Sequence, residues 1–278
     1  MKGIIYILTG LVVLGLLACE ETVTLDTKQI DPQIVIEGLV TDETKSHYVR
    51  VTRSVGFYDF GRARGVADAV VTVSDNEGNV FNYVHNPGDM PESDGYYYAE
   101  TPFAGEVGNT YTLTVIVGGE TYTGSDVLQP VTAIDSLSVR IDEDEFEDPE
   151  DVGYYHEVLF YAKEPKDRKD YYLFKFYRND SIILDQENDI YFANDEVLGE
   201  NIDGIPIAGF YKNGDVARVE MYSITRQGYV YYNDLFNILN NDGGMFSPPP
   251  ANPRTNLSND ALGFFQVSAM VSKSIVIE

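Results

Sequence analysis

The sequence contains one cysteine and no tryptophan in 278 residues. A single thiol cannot form an intrachain disulfide, so the stability of the fold has to come from packing. Histidine is also scarce, and His47, His85 and His156 stand alone, without the short spacings typical of zinc sites. We therefore interpret the three histidines as structural residues and expect neither a zinc centre nor a disulfide framework.

Basic residues are few: 19 lysines and arginines oppose 45 acidic residues, which gives a formal net charge of −26 at pH 7. Such a charge repels phosphate backbones, and no basic patch offsets it, so the sequence excludes nucleic-acid binding. The same charge argues against a protein that lies flat on anionic lipid. Solubility of an exposed protein explains the acidity better than cation binding does.

Motifs of nucleophilic catalysis and phosphate binding are lacking. The sequence has no Gly-x-Ser-x-Gly elbow and no glycine-rich phosphate loop. Pairs of carboxylates occur, but 45 acidic residues produce such pairs by chance. The sequence therefore favours a protein that is not an enzyme and needs no cofactor.

Only one long apolar run is present, from Ile4 to Leu17, and it follows the single cation of Lys2. It is shorter than the roughly 20 residues of a transmembrane helix. A small residue, Ala18, precedes Cys19, which completes the layout of a secretory signal peptide over residues 1–18. We expect no membrane-spanning segment in the mature chain.

The stretch Leu16-Leu17-Ala18-Cys19 resembles the lipobox of bacterial lipoproteins. The resemblance implies that Cys19 is acylated and becomes the first mature residue, so that lipid is the only membrane contact. Glu20-Glu21 is similar to the export signal of Bacteroidota lipoproteins, which implies an outer-membrane protein facing the extracellular side. Residues 19–32 are polar and aperiodic and are predicted to be a lipid-anchored tether.

From residue 33 the pattern changes to short β-prone runs separated by turn residues. The clearest alternation places Tyr111, Leu113, Val115 and Val117 on one face of a strand, and Gly118-Gly119 predicts a two-residue hairpin after it. With no helical stretch between the runs, residues 33–130 are predicted to form an antiparallel β-sandwich.

A second β-rich domain is predicted over residues 131–278, beginning after Pro130. One segment in it has helical spacing, at about residues 229–240, and Asp242-Gly243-Gly244 ends it. A closing strand follows at residues 263–269. The predicted fold class is therefore all-β: an N-terminal sandwich, then a second β-rich domain with one late α-helix.

Two family resemblances support this organisation. The run Ile36-Glu37-Gly38-Leu39-Val40 and the strands after it resemble prealbumin-like domains related to the carboxypeptidase regulatory module. The whole order, and residues 248–265 above all, resembles a family of Bacteroidota outer-membrane lipoproteins whose domain has no known function. Members commonly sit beside a TonB-dependent receptor, which implies such a receptor as the partner.

Three functional hypotheses follow. The first is a non-enzymatic, surface-exposed accessory lipoprotein that helps a TonB-dependent transporter to capture or take up a ligand. The second is a structural adhesin or an envelope-assembly component, and the third is a surface hydrolase that acts through carboxylates. The absence of catalytic spacing and the family resemblance favour the first.

The predicted working surface lies on the late helix and the proline-rich loop after it. Three consecutive prolines hold a loop extended, and tyrosines beside them offer wide aromatic contact at small entropic cost. The alternative, that the helix plugs one end of the sandwich while the prolines route the chain, stays open. The candidate residues are Tyr229, Tyr231, Tyr232, Phe246, Pro248, Pro249 and Asn252.

A calcium site is the remaining candidate for chemistry. Four acidic residues occupy the first, third, fifth and twelfth places of a loop like that of an EF-hand: Asp185, Glu187, Asp189 and Glu196. The sixth place is Ile190, where the tight turn needs glycine, and the flanking residues have strand character. The sequence therefore favours a polar loop without metal.

Overall fold

The computed structural model describes residues 31–56, 63–89, 93–147, 152–163, 165–186, 188–198, 201–241 and 251–278. Apart from Asp31 and Gly56, these residues belong to one compact unit. The predicted signal peptide, Cys19 and most of the tether lie outside the described residues. Within the described part of the chain, no helix is long and apolar enough to cross a bilayer.

Strands dominate the described residues, and three helices interrupt them. The strands are β1 (Ile34–Thr41), β2 (Tyr48–Arg53), β3 (Arg64–Gly65), β4 (Val70–Asp75), β5 (Val80–His85), β6 (Tyr96–Ala99), β7 (Thr110–Val117), β8 (Glu120–Val127), β9 (Ile134–Ile141), β10 (His156–Lys163), β11 (Tyr171–Arg178), β12 (Ser181–Ile183), β13 (Tyr191–Asn194), β14 (Asn201–Pro206), β15 (Val216–Ser223), β16 (Leu262–Ser268) and β17 (Met270–Val276). The helices are α1 (Glu143–Glu147), α2 (Asp195–Leu198) and α3 (Arg226–Leu239). The predicted all-β fold with a late helix is confirmed.

The first sheet follows the order β16-β1-β2-β6-β5-β4-β7-β8, with β3 paired to β2. Its strand β7 has the predicted alternation, and all four apolar residues of that pattern are buried. The predicted hairpin joins β7 to β8, with Val117 opposite Glu120. Gly118 and Gly119 have φ of 59° and 89°, which glycine adopts without a steric penalty.

Strand β16 lies parallel to β1 at the edge of the first sheet, with Ile36 opposite Gly263. The close approach requires a glycine, because a Cβ at Gly263 would lie 2.1 Å from the carbonyl oxygen of Ile36 and its φ is 97°. A strand from the last 17 residues thus forms one edge of the first sheet, and β8 forms the other edge. The seam predicted at residue 130 falls where the chain leaves that sheet, and the division into two domains stays a prediction.

The two outer strands of the first sheet, β8 and β16, approach each other, so the sheet nearly closes on itself. The side-chain amide of Asn256 donates to the carbonyls of Ser125, at 3.1 Å, and Phe265, at 2.7 Å, and accepts from the Phe265 N–H at 3.0 Å. The Asp126 carboxylate accepts from the backbone N–H of Val267 at 3.0 Å. These polar side chains replace the backbone ladder that a neighbouring strand would provide.

Two further sheets are built from the rest of the chain, in the orders β14-β10-β9 and β12-β11-β15-β17, with β13 paired to β11. Their inner faces share one apolar core, to which β10 contributes Phe160, β11 contributes Phe174 and β15 contributes Met221. On the opposite face of β11, Leu173 packs in a smaller cluster with residues of α3. The third sheet therefore has the core on one face and the late helix on the other.

The late helix begins at Arg226, three residues before the predicted start, and ends at Leu239, one before the predicted end. Thr225 is its N-cap, and the side-chain oxygen of Thr225 accepts from the Gly228 N–H at 3.2 Å. The apolar spacing from which the helix was predicted starts only after this cap, which explains the difference.

Candidate ligand-binding site

A cavity of about 400 Å³ lies between the second and third sheets. Strands β10, β11, β13 and β14 form most of its walls, and residues 207–210 also line it. Most lining side chains are aromatic or aliphatic. Its size and apolar walls are those of a pocket for a small organic molecule.

The aromatic wall of the cavity follows from the alternation of β11, which turns Phe174 and Phe176 to the same face. Their ring centroids are 6.2 Å apart, and the Phe160 ring of β10 lies 5.5 Å from that of Phe174. Tyr191 of β13 places its ring 5.0 Å from Phe176. Because the three phenylalanines are buried in the core, this wall is fixed before any ligand enters.

The mouth of the cavity carries a carboxylate, that of Asp185, in the turn after β12. Its oxygens accept from the Gly209 N–H at 2.8 Å and from the Tyr191 hydroxyl at 3.0 Å, and that hydroxyl accepts from the Asp185 N–H at 2.8 Å. Burial is the main cause that raises the pKa of Tyr191, and the neighbouring carboxylates add to it. Tyr191 therefore stays a neutral donor, and Asp185 joins the turn to residues 207–210.

A second carboxylate, Glu157 of β10, lines the cavity but is paired with the Arg140 guanidinium of β9. The donors to Asp185 among the described residues, the Gly209 N–H and the Tyr191 hydroxyl, are neutral. In the part of the chain that the structure describes, no lysine, arginine or histidine lines the cavity. The net charge of the lining is therefore negative and is concentrated at the mouth.

Of the candidate calcium residues that the structure describes, two meet at one hydroxyl and the third forms an ion pair with a lysine. Asp185 and Asp189 both accept from the Tyr191 hydroxyl, at 3.0 and 3.3 Å. Glu196, on α2, instead pairs with Lys169 at 3.0 Å, and Glu187 lies outside the described residues. Among the described residues, no group of three or more His, Cys, Asp or Glu side chains is placed to hold a metal.

The three tyrosines of the predicted working surface are half-buried and turned towards the sheets. Tyr229 places its ring 5.2 Å from that of Tyr171, Tyr231 stacks on Phe264 at 5.0 Å, and the Tyr232 hydroxyl donates to Gln266 at 2.5 Å. Burial raises the pKa of Tyr231 to about 12. The three tyrosines therefore pack against the sheets, as expected if the helix covers them.

The rest of that predicted surface is only partly described. Asn252 is exposed, whereas Phe246, Pro248 and Pro249 lie outside the described residues. Beside Asn252, Arg254 forms a two-pronged ion pair with Asp234 of α3, with both nitrogen–oxygen distances at 2.7 Å. The working surface as a whole stays a prediction.

Phe192 of β13 connects the late helix with the cavity. Its ring lies 5.3 Å from Tyr229 and 6.0 Å from Phe236, both on α3, and Phe192 also lines the cavity. The helix thus supports the wall of a site that the sequence did not predict. Only the paired phenylalanines of β11 were a signal for it, because the other lining residues come from separate segments.

The histidines lie away from the cavity. His47 is buried, with Nε2 2.9 Å from the Phe103 carbonyl oxygen, and burial lowers its pKa to about 4. His156 is also buried and places Nδ1 3.2 Å from the Tyr211 carbonyl oxygen. His85 lies beside the ring of Tyr97, with centroids 5.1 Å apart. None of the three lines the cavity.

A buried carboxylate, Glu220 of β15, also lies outside the cavity. It accepts from the hydroxyls of Tyr177, at 3.0 Å, and Tyr222, at 2.8 Å, and pairs with Arg218. Four groups are thereby satisfied together on the outer face of the third sheet. We interpret this network as structural.

A family model described as "Domain of unknown function (DUF4249)" matches residues 20–274 of the chain. The search of curated proteins found no match to the chain.

Proposed function

The chain belongs to the family described as "Domain of unknown function (DUF4249)", and we propose that it is a non-enzymatic, surface-exposed lipoprotein of a Bacteroidota outer membrane. In this proposal it captures a small ligand and passes it to a TonB-dependent transporter. The observation that carries the ligand-binding part is the cavity of about 400 Å³ with its fixed aromatic wall.

The membrane-anchored part of the proposal depends on Leu16-Leu17-Ala18-Cys19 and on Glu20-Glu21. Acylation of Cys19 would anchor the protein through lipid, since each buried methylene contributes about 0.8 kcal/mol. A tether of about a dozen residues would then keep the cavity close to the membrane, where a transporter is accessible.

Binding is favoured over catalysis by the character of the cavity. Its lining offers one tyrosine hydroxyl and two carboxylates, of which one is paired with arginine. None of these groups is arranged as a nucleophile with an adjacent base. A fixed apolar wall with a few polar groups is typical of a site that holds a ligand without changing it.

Partnership with a transporter is tested by affinity purification of the C-terminally tagged protein from detergent-solubilised membranes of its own host. We expect a TonB-dependent transporter in near-equal amount. Recovery of other envelope or adhesive components without a transporter would favour the structural alternative, and recovery of the lipoprotein alone would contradict partnership.

Anchoring is tested separately with Cys19→Ala. We expect this variant to accumulate uncleaved or to leave the outer-membrane fraction, and protease added to intact cells should degrade only the wild-type protein. If Cys19→Ala fractionates with the outer membrane at the wild-type level, the lipid anchor is refuted.

A further inference from the structure

We infer that the cavity binds small molecules that combine an apolar, ring-bearing body with a cationic amine. The inference deepens the proposed function, on which it rests for the biological purpose of binding, by naming the ligand class. The binding itself follows from the walls and the mouth of the cavity.

The apolar body of the ligand is indicated by the walls. Phe160, Phe174 and Phe176 present buried ring surfaces, and Tyr191 continues the aromatic surface at the edge of the third sheet. Aromatic rings favour flat, apolar partners and also attract cations to their faces. A strongly polar ligand would find few partners for its own hydrogen-bonding groups on these walls.

The amine is indicated by the charge at the mouth. Asp185 is exposed there, and among the described residues its carboxylate accepts from two neutral donors, the Gly209 N–H and the Tyr191 hydroxyl. Asp189 adds a second carboxylate nearby. Arg140 offsets Glu157 but does not line the cavity. A cationic group at the mouth is therefore attracted, whereas a carboxylate or sulfonate is repelled.

The space itself depends on two small residues. Ala193 of β13 and Ala208 both line the cavity and are buried, with 8% and 3% of their surface exposed. A leucine at either position would extend a branched side chain into the cavity. Such a substitution fills the space without removing any of the aromatic rings. Loss of ligand binding in a folded leucine variant would therefore show that the cavity is a binding site and not an imperfectly packed core.

The test is a fluorescence titration of the purified chain from Glu20 onwards, which carries every described residue, in detergent-free buffer. Three probes share one dansyl ring system and differ in charge: dansylcadaverine carries an amine, dansylamide is neutral and dansylglycine carries a carboxylate. At low ionic strength we expect dansylcadaverine to bind about tenfold more tightly than dansylglycine, the size expected for one partly screened charge.

Two variants assign the site. Asp185→Asn keeps an oxygen acceptor for the Gly209 N–H and removes the charge, and the Tyr191 hydroxyl can still donate to Asp189. The preference for the amine should therefore shrink to less than about threefold. Asp203→Asn is the matched control, since Asp203 is exposed on β14 and does not line the cavity, and it should keep the wild-type preference. Ala208→Leu should weaken all three probes at least tenfold.

Melting temperature is followed for every variant, and Ala193→Leu replaces Ala208→Leu if the latter does not fold. Equal or tighter binding of dansylglycine by the wild type, unchanged binding in the leucine variant, or an unchanged preference in Asp185→Asn would each overturn the inference. The titration involves no membrane partner, so its failure is distinct from failure to recover a transporter.

Discussion

The buried carboxylate of Asp126 should make the stability of the protein depend on pH in a way that one substitution removes. Asp126 lies on β8, next to β16, and 6% of its surface is exposed. Burial raises its pKa from 3.8 to about 6, although hydrogen bonds from Val267, Thr225 and Val127 oppose the rise. These bonds do not fully replace the water that the ionised carboxylate loses.

The magnitude follows from that shift. At about 1.36 kcal/mol per pKa unit, a rise from 3.8 to about 6 makes ionised Asp126 about 3 kcal/mol less favourable in the folded state. The folded protein binds more protons than the unfolded chain between these pKa values, so the contribution of Asp126 to stability falls as pH rises through this window. About half of the change, roughly 1.5 kcal/mol, falls between pH 5 and pH 7.5.

His47 acts in the opposite direction over an overlapping range. Burial lowers its pKa from 6.5 to about 4, so the folded protein binds fewer protons there and His47 lowers stability as pH falls through that window. The net pH dependence of the wild type therefore does not isolate Asp126. The informative quantity is the difference in unfolding free energy between Asp126→Asn and the wild type at each pH.

The assay is urea denaturation at a series of pH values from 5 to 7.5. Asparagine still offers an oxygen to the Val267 N–H but carries no charge. We expect the unfolding free energy of Asp126→Asn minus that of the wild type to rise by about 1.5 kcal/mol from pH 5 to pH 7.5. Asp203→Asn, at an exposed position, should show no such trend, and a constant difference for Asp126→Asn would refute the reasoning.

Three further predictions concern stability measured by urea denaturation. Asn256→Ala should lower the unfolding free energy by about 2–4 kcal/mol, because the three hydrogen bonds that join the Asn256 side chain to β8 and β16 are lost, whereas the exposed Asn252→Ala should change it by less than about 0.5 kcal/mol; equal effects would contradict the bridging role. Gly263→Ala should cost more than about 3 kcal/mol through its positive φ and its clash with Ile36, and a near-neutral result would show that β1 and β16 can separate easily. Thr225→Ala should cost about 1–3 kcal/mol by removing both the cap of α3 and the hydrogen bond to the buried Asp126 carboxylate, and unchanged stability would contradict both roles.

Local patterns in the sequence predicted local structure well. The sequence correctly predicted the strand from Tyr111 to Val117 and the hairpin at Gly118-Gly119. Strand period and turn chemistry are properties of neighbouring residues. The late helix was also found, but Thr225 was missed as its cap. Thr225 precedes the apolar spacing from which the helix was predicted. It is identified as the cap only by one hydrogen bond from the backbone N–H of Gly228.

Pairings between distant segments could not be predicted in the same way. The closing strand at residues 263–269 was assigned to the second domain, whereas β16 pairs with β1 in the first sheet. No local pattern in either strand indicates which distant strand, more than 200 residues away, it pairs with. The cavity was missed for the same reason, since Phe160, Phe174, Tyr191 and Ala208 come together only through the packing of two sheets.

The pairing of β1 with β16 also determines when the first sheet can be completed during synthesis. The outer edge of β1 is covered only once residues 262–268 are present, so a partly synthesised chain exposes the backbone groups of β1. Folding dominated by such distant contacts is slow. The nascent chain therefore depends on protection of this edge from aggregation until residues 262–268 are available.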